Sequence, residues 1–167
     1  AVEPVLGSRS TDTLSGLGPP TVGDRMELPV GPAAAGEPAT PDAEPDFPAE
    51  PRLPITPGPR ADWFAEDALD VLGRAVWTVT PASNRVGVRL DGPSLARRVT
   101  AELPSEGLVA GAIQVPPGSG PVLFLADHPV TGGYPVLAVV DPADLWLAAQ
   151  ARPGETLRFG RTAHAGR

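Results

Sequence analysis

The chain has 167 residues, enough for one domain with an appended piece and for a buried core. It has no Cys and its 13 basic residues are all Arg, which excludes disulfides, a thiolate nucleophile, a Cys-ligated metal, a Schiff-base or P-loop lysine and a biotinylated lysine. A net charge of −7 without a basic run argues against a nucleic-acid surface, and with no apolar stretch near ~18 residues and no leader pattern the expected setting is the cytoplasm, away from any membrane.

Residues 1–30 read as turn-rich, through Leu6-Gly7-Ser8-Arg9-Ser10-Thr11-Asp12 and Gly16-Leu17-Gly18-Pro19-Pro20, ending in a short strand near Met26 to Val30. Residues 31–51 turn to Pro, Ala, Gly and acid, with Glu37, Asp42, Glu44, Asp46 and Glu50 and no base. Such a segment has little apolar surface to offset its ordering entropy, so a Pro/Ala/acid-rich flexible linker is expected.

The compact part is expected over residues 52–160, with a tail at 161–167. Arg52 to Thr56 reads as a strand whose proline confines it to a sheet edge. A helix follows, with Ala65, Ala68, Leu69 and Leu72 at spacings of three and four, Asp62 as its cap and Gly73 at its end. Alternation marks strands at Ala75 to Val79 and Val86 to Leu90 around the turn Pro81-Ala82-Ser83-Asn84. Further strands are expected at Gly111 to Val115, Val122 to Ala126, Val136 to Val140 and Thr156 to Phe159. Asp141 and Pro142 open a second helix, as cap and first helical residue, that runs to about Gln150, where Arg152-Pro153-Gly154 stops it. Short strands with two short helices make a mainly β barrel or sandwich.

Ala126-Asp127-His128-Pro129-Val130-Thr131-Gly132-Gly133-Tyr134-Pro135 is longer and chemically richer than a hairpin closure requires. Gly132 and Gly133 are expected at positive φ, where their backbone N–H groups nest an anion. Thr131 adds a hydroxyl and Asp127 a carboxylate, suited to polarising a carbonyl or holding a phosphoryl group, and Tyr134 completes the set as a substrate-binding residue. The plain alternative is turn chemistry. Arg85 and Arg89 flank Gly87 at alternate positions and so share a strand face, either to grip a carboxylate or phosphate, or to stand solvated or pair with Asp91 or Glu106. Glu106 is a candidate acid or base, or a turn residue. Gln114 can bond a lactam or amide edge, or satisfy local backbone. With His128 and His164 the chain's only histidines, no metal site is expected.

Taken in order, Ser83 to Gly92, Ser105 to Pro117, Ala126 to Pro135 and Ala143 to Phe159 resemble the biotin-dependent carboxyltransferase family, which includes the C subunit of 5-oxoprolinase (KipA) and allophanate hydrolase subunit 2. The resemblance implies a cyclophilin-like β-barrel. It also implies ATP-dependent opening of 5-oxoproline to L-glutamate, with Mg–ATP in the complete complex and partners resembling the B (KipI-like) and A subunits of 5-oxoprolinase. The family's other chemistry is carboxyl transfer from biotin to urea, and KipA-type members imply a regulatory module that pairs with a kinase-inhibitor protein. The likeness begins in mid-domain, and the chain starts at Ala1 with its one Met at position 26. It is therefore expected to be a fragment, inactive alone, that lacks an N-terminal subdomain.

Overall fold

The computed structural model describes residues 3–5, 7–12, 15–28 and 47–161. They fall into two units, Ala1–Glu44 and Pro45–Arg167.

In the first unit local polar bonds do most of the work. Asp12 and Leu17 form an antiparallel bridge around a turn in which Gly16 N–H donates to Asp12 O at 2.9 Å and Ser15 Oγ donates to Asp12 Oδ2 at 2.7 Å. Thr11 Oγ1 donates to Pro19 O at 2.6 Å. The expected strand near Met26 does not form over Met26 to Leu28, which have no ladder partner, and Val30 lies outside the described residues, as do residues 31–46 of the expected linker. The rest of that linker, Phe47 to Pro51, is part of the second unit. Phe47 meets Trp146 edge to face at 6.2 Å, and Glu50 accepts from Arg158 Nε at 2.7 Å.

The second unit is built on β1 (Arg52–Pro57), β2 (Trp77–Val79), β3 (Gly87–Asp91), β4 (Glu106–Gly107), β5 (Ala112–Gln114), β6 (Val122–Phe124), β7 (Thr131–Gly132), β8 (Val136–Val140) and β9 (Thr156–Arg161), with α1 (Ala68–Arg74) and α2 (Leu145–Gln150). Seven strands close into a barrel in the order β1-β8-β5-β6-β3-β2-β9; β9 returns parallel to β1 and the other pairs are antiparallel. The fold is mainly β with two short helices, as the sequence suggested. β4 and β7 stand apart as a two-stranded sheet.

Register decides which side chains fill the barrel. Val88, Leu123, Ile113 and Ala138 are cross-strand partners in one row, all buried, with Leu53, Ile55, Trp77, Val79, Leu90, Val140, Leu157 and Phe159 in the same core. Helix α1 adds Ala68 and Leu72, and the Leu72 carbonyl accepts from the buried Trp77 Nε1 at 2.9 Å. A second cluster of Leu108, Ala112 and Val136, with Phe124 and Val139 against it, packs on the outer face of the wall. A bulge opposite Ile113 and Gln114 resets the alternation in β8, which lets Val136 and Val139 both serve that outer cluster.

Several local expectations give way to tertiary context. β1 is an interior strand of a closed barrel, not an edge. Pro54 is tolerated because its carbonyl accepts from Asp141 N–H at 2.9 Å on the last rung against β8, where its missing N–H forfeits one terminal bond. The first helix starts at Ala68 after Asp67; Asp62 lies in a 3-10 turn, Ala65 N–H bonds Ala96 O, and Gly73 lies inside the helix. Asp141 instead caps a turn, accepting from Ala143 N–H at 3.0 Å, so α2 begins only at Leu145. The ends of four expected strands (Ala75-Val76, Val86, Gly111 with Val115, and Leu125-Ala126) lie outside the ladders.

Candidate functional site

The segment 125–135 is not a hairpin. β6 and β8 are both neighbours of β5 and not of each other, so this chain must pass over β5 to join them. On the way it forms β7, which pairs with β4 through Glu106↔Gly132 and Gly107↔Thr131, extended by Leu108 N–H donating to Val130 O at 2.9 Å. The resulting β4–β7 flap lies on the outer wall, with Leu108 pressed into the outer cluster.

Between flap and wall lies a cleft of about 360 Å³, lined chiefly by apolar groups including Val86, Leu108, Val122, Phe124 and Pro129, with Arg89, Gln114, Gly132, Gly133 and Tyr134. The floor follows from register. Arg89 pairs with Val122 and Val122 with Gln114, so the three stand on one face of adjacent strands. Two inter-strand spacings put the Cα atoms of Arg89 and Gln114 about 10 Å apart with an apolar residue between them.

Gln114 is the one buried polar or charged side chain among the described residues, 3% exposed. Its Nε2 donates to Tyr134 O at 2.7 Å. A carbonyl only accepts, so the amide nitrogen must face Tyr134, and Oε1 accepts no hydrogen bond from the described residues. Oε1 is not among the enclosed side-chain atoms left without a partner in the described residues, so it stays accessible, and Gln114 lines the cleft. A ligand N–H can donate to it there in place of water.

Gly132 and Gly133 do not take positive φ, so the expected nest is absent. The reason for glycine at 132 is contact: a Cβ there would lie 2.8 Å from Leu108 Cδ1 and 2.9 Å from Gln114 Nε2. At 133 the nearest atom is Leu103 O, 3.4 Å away.

The remaining candidates surround the cleft without lining it. Arg85 precedes β3 in a bend, outside the strand that carries Arg89; its Nε lies 2.8 Å from Asp127 Oδ2, with both side chains at least half exposed. Thr131 is exposed in β7. Glu106 is bound by Arg60, which donates from Nε to Oε2 at 3.0 Å and from Nη2 to Oε1. That hydrogen-bonded guanidinium holds the Glu106 carboxyl below the usual glutamate range and outweighs the opposing pull of desolvation. His128 Nδ1 contacts its neighbour Pro129 O at 2.8 Å, and His164 lies outside the described residues. Among the described residues no three His, Asp or Glu side chains converge as a metal site, and no helix is long and apolar enough to cross a membrane.

Sequence reasoning missed Leu108, Phe124, Pro129 and Asn84, whose Oδ1 accepts from Val86 and Gly87 N–H at 2.9 and 3.3 Å. A signal was present. Val122-Leu123-Phe124 and Val136 to Val140 are continuous apolar runs, not alternating ones, as strands covered on both faces require.

Residues 1–161 match the family model for the carboxyltransferase domain, subdomain A and B. The chain is 34% identical over 161 residues to the 5-oxoprolinase C subunit of Escherichia coli K12, covering 95% of this chain and 52% of that protein. It is 33% identical over 181 residues to the urea amidolyase of Lachancea kluyveri, covering 92% of this chain and 10% of that one. The crystal structure of TTHA0988 superposes with a TM-score of 0.69 at 38% identity, over 93% of this chain and 30% of the other. The chain thus spans about half the length of its Escherichia coli relative.

Proposed function

The chain belongs to the carboxyltransferase domain family, subdomains A and B, and on that footing we propose that it is a component of a cytoplasmic, ATP-dependent 5-oxoprolinase that opens 5-oxoproline to L-glutamate. Partners like the B and A subunits of 5-oxoprolinase, and the other half of the family domain, complete the assembly in this reading. The observation that carries it is the placement of Gln114 and Arg89 on one face of the cleft wall, on either side of Val122.

5-Oxoproline presents a lactam N–H and a carboxylate on one small ring. The N–H suits the amide oxygen of Gln114, the carboxylate suits the Arg89 guanidinium, and the ring methylenes suit Val122, Phe124 and Leu108. Resonance makes the lactam carbonyl a poor electrophile, and Mg–ATP bound in the complete assembly would supply the activation. The cleft does not fit that nucleotide: its lining has one guanidinium and no carboxylate. We therefore place ATP elsewhere in the assembly and give this chain the work of orienting the ring and excluding water.

Transfer of a carboxyl group from biotin to urea is the second reading, favoured by the likeness to urea amidolyase. Urea has amide N–H groups for Gln114 but no carboxylate for Arg89, so the two readings part at Arg89. The test titrates 5-oxoproline and urea into the chain, followed by the Gln114 side-chain amide in NMR, and measures ATP-dependent glutamate release in the assembled enzyme. The proposal expects 5-oxoproline to shift that signal, and Gln114→Met and Arg89→Met each to weaken binding about ten-fold or more, the range for a lost bond to a charged or buried group. A response to urea that is indifferent to Arg89→Met would overturn it in favour of carboxyl transfer.

A further inference from the structure

The flap that roofs the cleft has little to hold it down. Its strands are two residues each, too short to be stable alone. Val109 and Val130 on it are 55% and 79% exposed, so those side chains pack on little. What remains is the small outer cluster under Leu108, the hydrogen bond from Gln114 to Tyr134 O just after β7, and two ion pairs.

The two pairs differ in quality. Arg85–Asp127 is a single contact between side chains at 69% and 50% exposure, the kind that contributes little. Arg60–Glu106 is bidentate, and each side chain is about one-third exposed. Arg60 is also fixed from behind: its N–H donates to Val136 O at 3.2 Å, and its guanidinium carbon sits 5.9 Å from the Trp63 ring centroid. Val136 belongs to the outer cluster on which Leu108 rests. Arg60 therefore ties β4 to the part of the wall that the flap covers.

We infer that Arg60–Glu106 is a clamp that seats the β4–β7 flap on the cleft, and that Glu106 is a positioning residue acting through the flap, not an acid or base acting on substrate. The clamp fixes where Gly132 presses on the Gln114 amide, and so the geometry of the amide-reading end of the cleft. Only the kinetic arm of the test rests on the proposed function.

The first arm is amide hydrogen exchange on this chain, comparing Leu108 in the flap with Leu123 in the barrel, for Glu106→Gln, Arg60→Met and the charge-swapped pair Arg60→Glu with Glu106→Arg. Each single change should speed exchange at Leu108 by about ten-fold or more while Leu123 stays protected, the pattern of local opening without global unfolding. The swapped pair should restore much of the protection. The second arm is steady-state kinetics of Glu106→Gln in the assembled enzyme, where KM for 5-oxoproline should rise several-fold with kcat within about two-fold. Unchanged exchange at Leu108 in both single variants overturns the clamp. A large fall in kcat at constant KM overturns it too, because Glu106 would then touch the reacting atoms. Faster exchange at Leu108 with an unaltered KM upholds the clamp and refutes the substrate assigned to the cleft.

Discussion

Replacing Gly132 by Ala tests the close-packed account of the cleft most directly. The added methyl would stand 2.8 Å from Leu108 Cδ1 and 2.9 Å from Gln114 Nε2, both nearer than real carbon contacts allow. Leu108 can yield by a rotamer change, although it is 8% exposed and packs on Ala112 and Val136. Gln114 yields less readily, because its Nε2 is held by Tyr134 O at 2.7 Å and its side chain is enclosed. Overpacking of this kind costs about 1–3 kcal/mol, and a displaced buried amide falls in the same range. For a unit of this size that is a fall of roughly 4–12 °C in melting temperature. Gly133→Ala is the control. Its new methyl meets only Leu103 O at 3.4 Å and its φ suits any residue, so it should be neutral or stabilise by up to about 1 kcal/mol through the unfolded chain. Calorimetry on both variants, with 5-oxoproline titrations beside it, decides the matter. Should Gly132→Ala melt within about 2 °C of the parent while Gly133→Ala melts lower, the reasoning from contact distances is wrong.

The Glu106 carboxyl should titrate below its ordinary value of 4.5, because the Arg60 guanidinium favours its charged form. The stabilisation it brings is complete above that ordinary value and is lost as pH falls through the lower, folded-state one, so the flap should loosen only in acid; carboxyl NMR of Glu106, with exchange at Leu108, checks this, and titration above 4.5 would contradict it. Trp77→Phe removes the donor to the buried Leu72 carbonyl and leaves a void, and should destabilise by about 2–4 kcal/mol in denaturant unfolding. Gly120→Ala should be worse tolerated than Gly92→Ala: its methyl would run into Leu90 O, part of the fixed β3 backbone, whereas the one at 92 meets a side chain, the Trp77 ring, at 2.7 Å. Soluble expression and melting temperature rank the two.

The barrel strands were legible because their inward residues alternate: Trp77 and Val79, Val88 and Leu90, Leu157 and Phe159 all point to one core. Helix starts were less so. Asp62 and Asp141 both carry the capping residue type, yet the chain around each is tied by long-range bonds, Ala65 to Ala96 and Asp141 to Pro54, that no local pattern encodes. Pro54 misled for the same reason, since only the closed ladder tells which of its hydrogen bonds matters. Of the site, Arg89, Gln114, Gly132, Gly133 and Tyr134 were singled out from the residues and the structure sets them around one cleft. The flap was invisible. Two-residue strands carry no periodicity, and Glu106 meets Gly132 from 26 positions away. Charged groups that look catalytic in a string, Glu106, Asp127 and Arg85, turn out to be one another's or Arg60's partners once the chain is folded.

Closure of the barrel has a consequence for association. Every barrel strand is paired on both sides, so its backbone offers no row of free N–H and C=O groups to another chain. Within the second unit's described residues, the strands with one edge unpaired along their whole length are those of the flap, and each is two residues long. Edge-to-edge growth into larger β assemblies therefore has almost nothing to start from. A neighbour that adds a strand at β4 or β7 would take hold of the roof of the cleft.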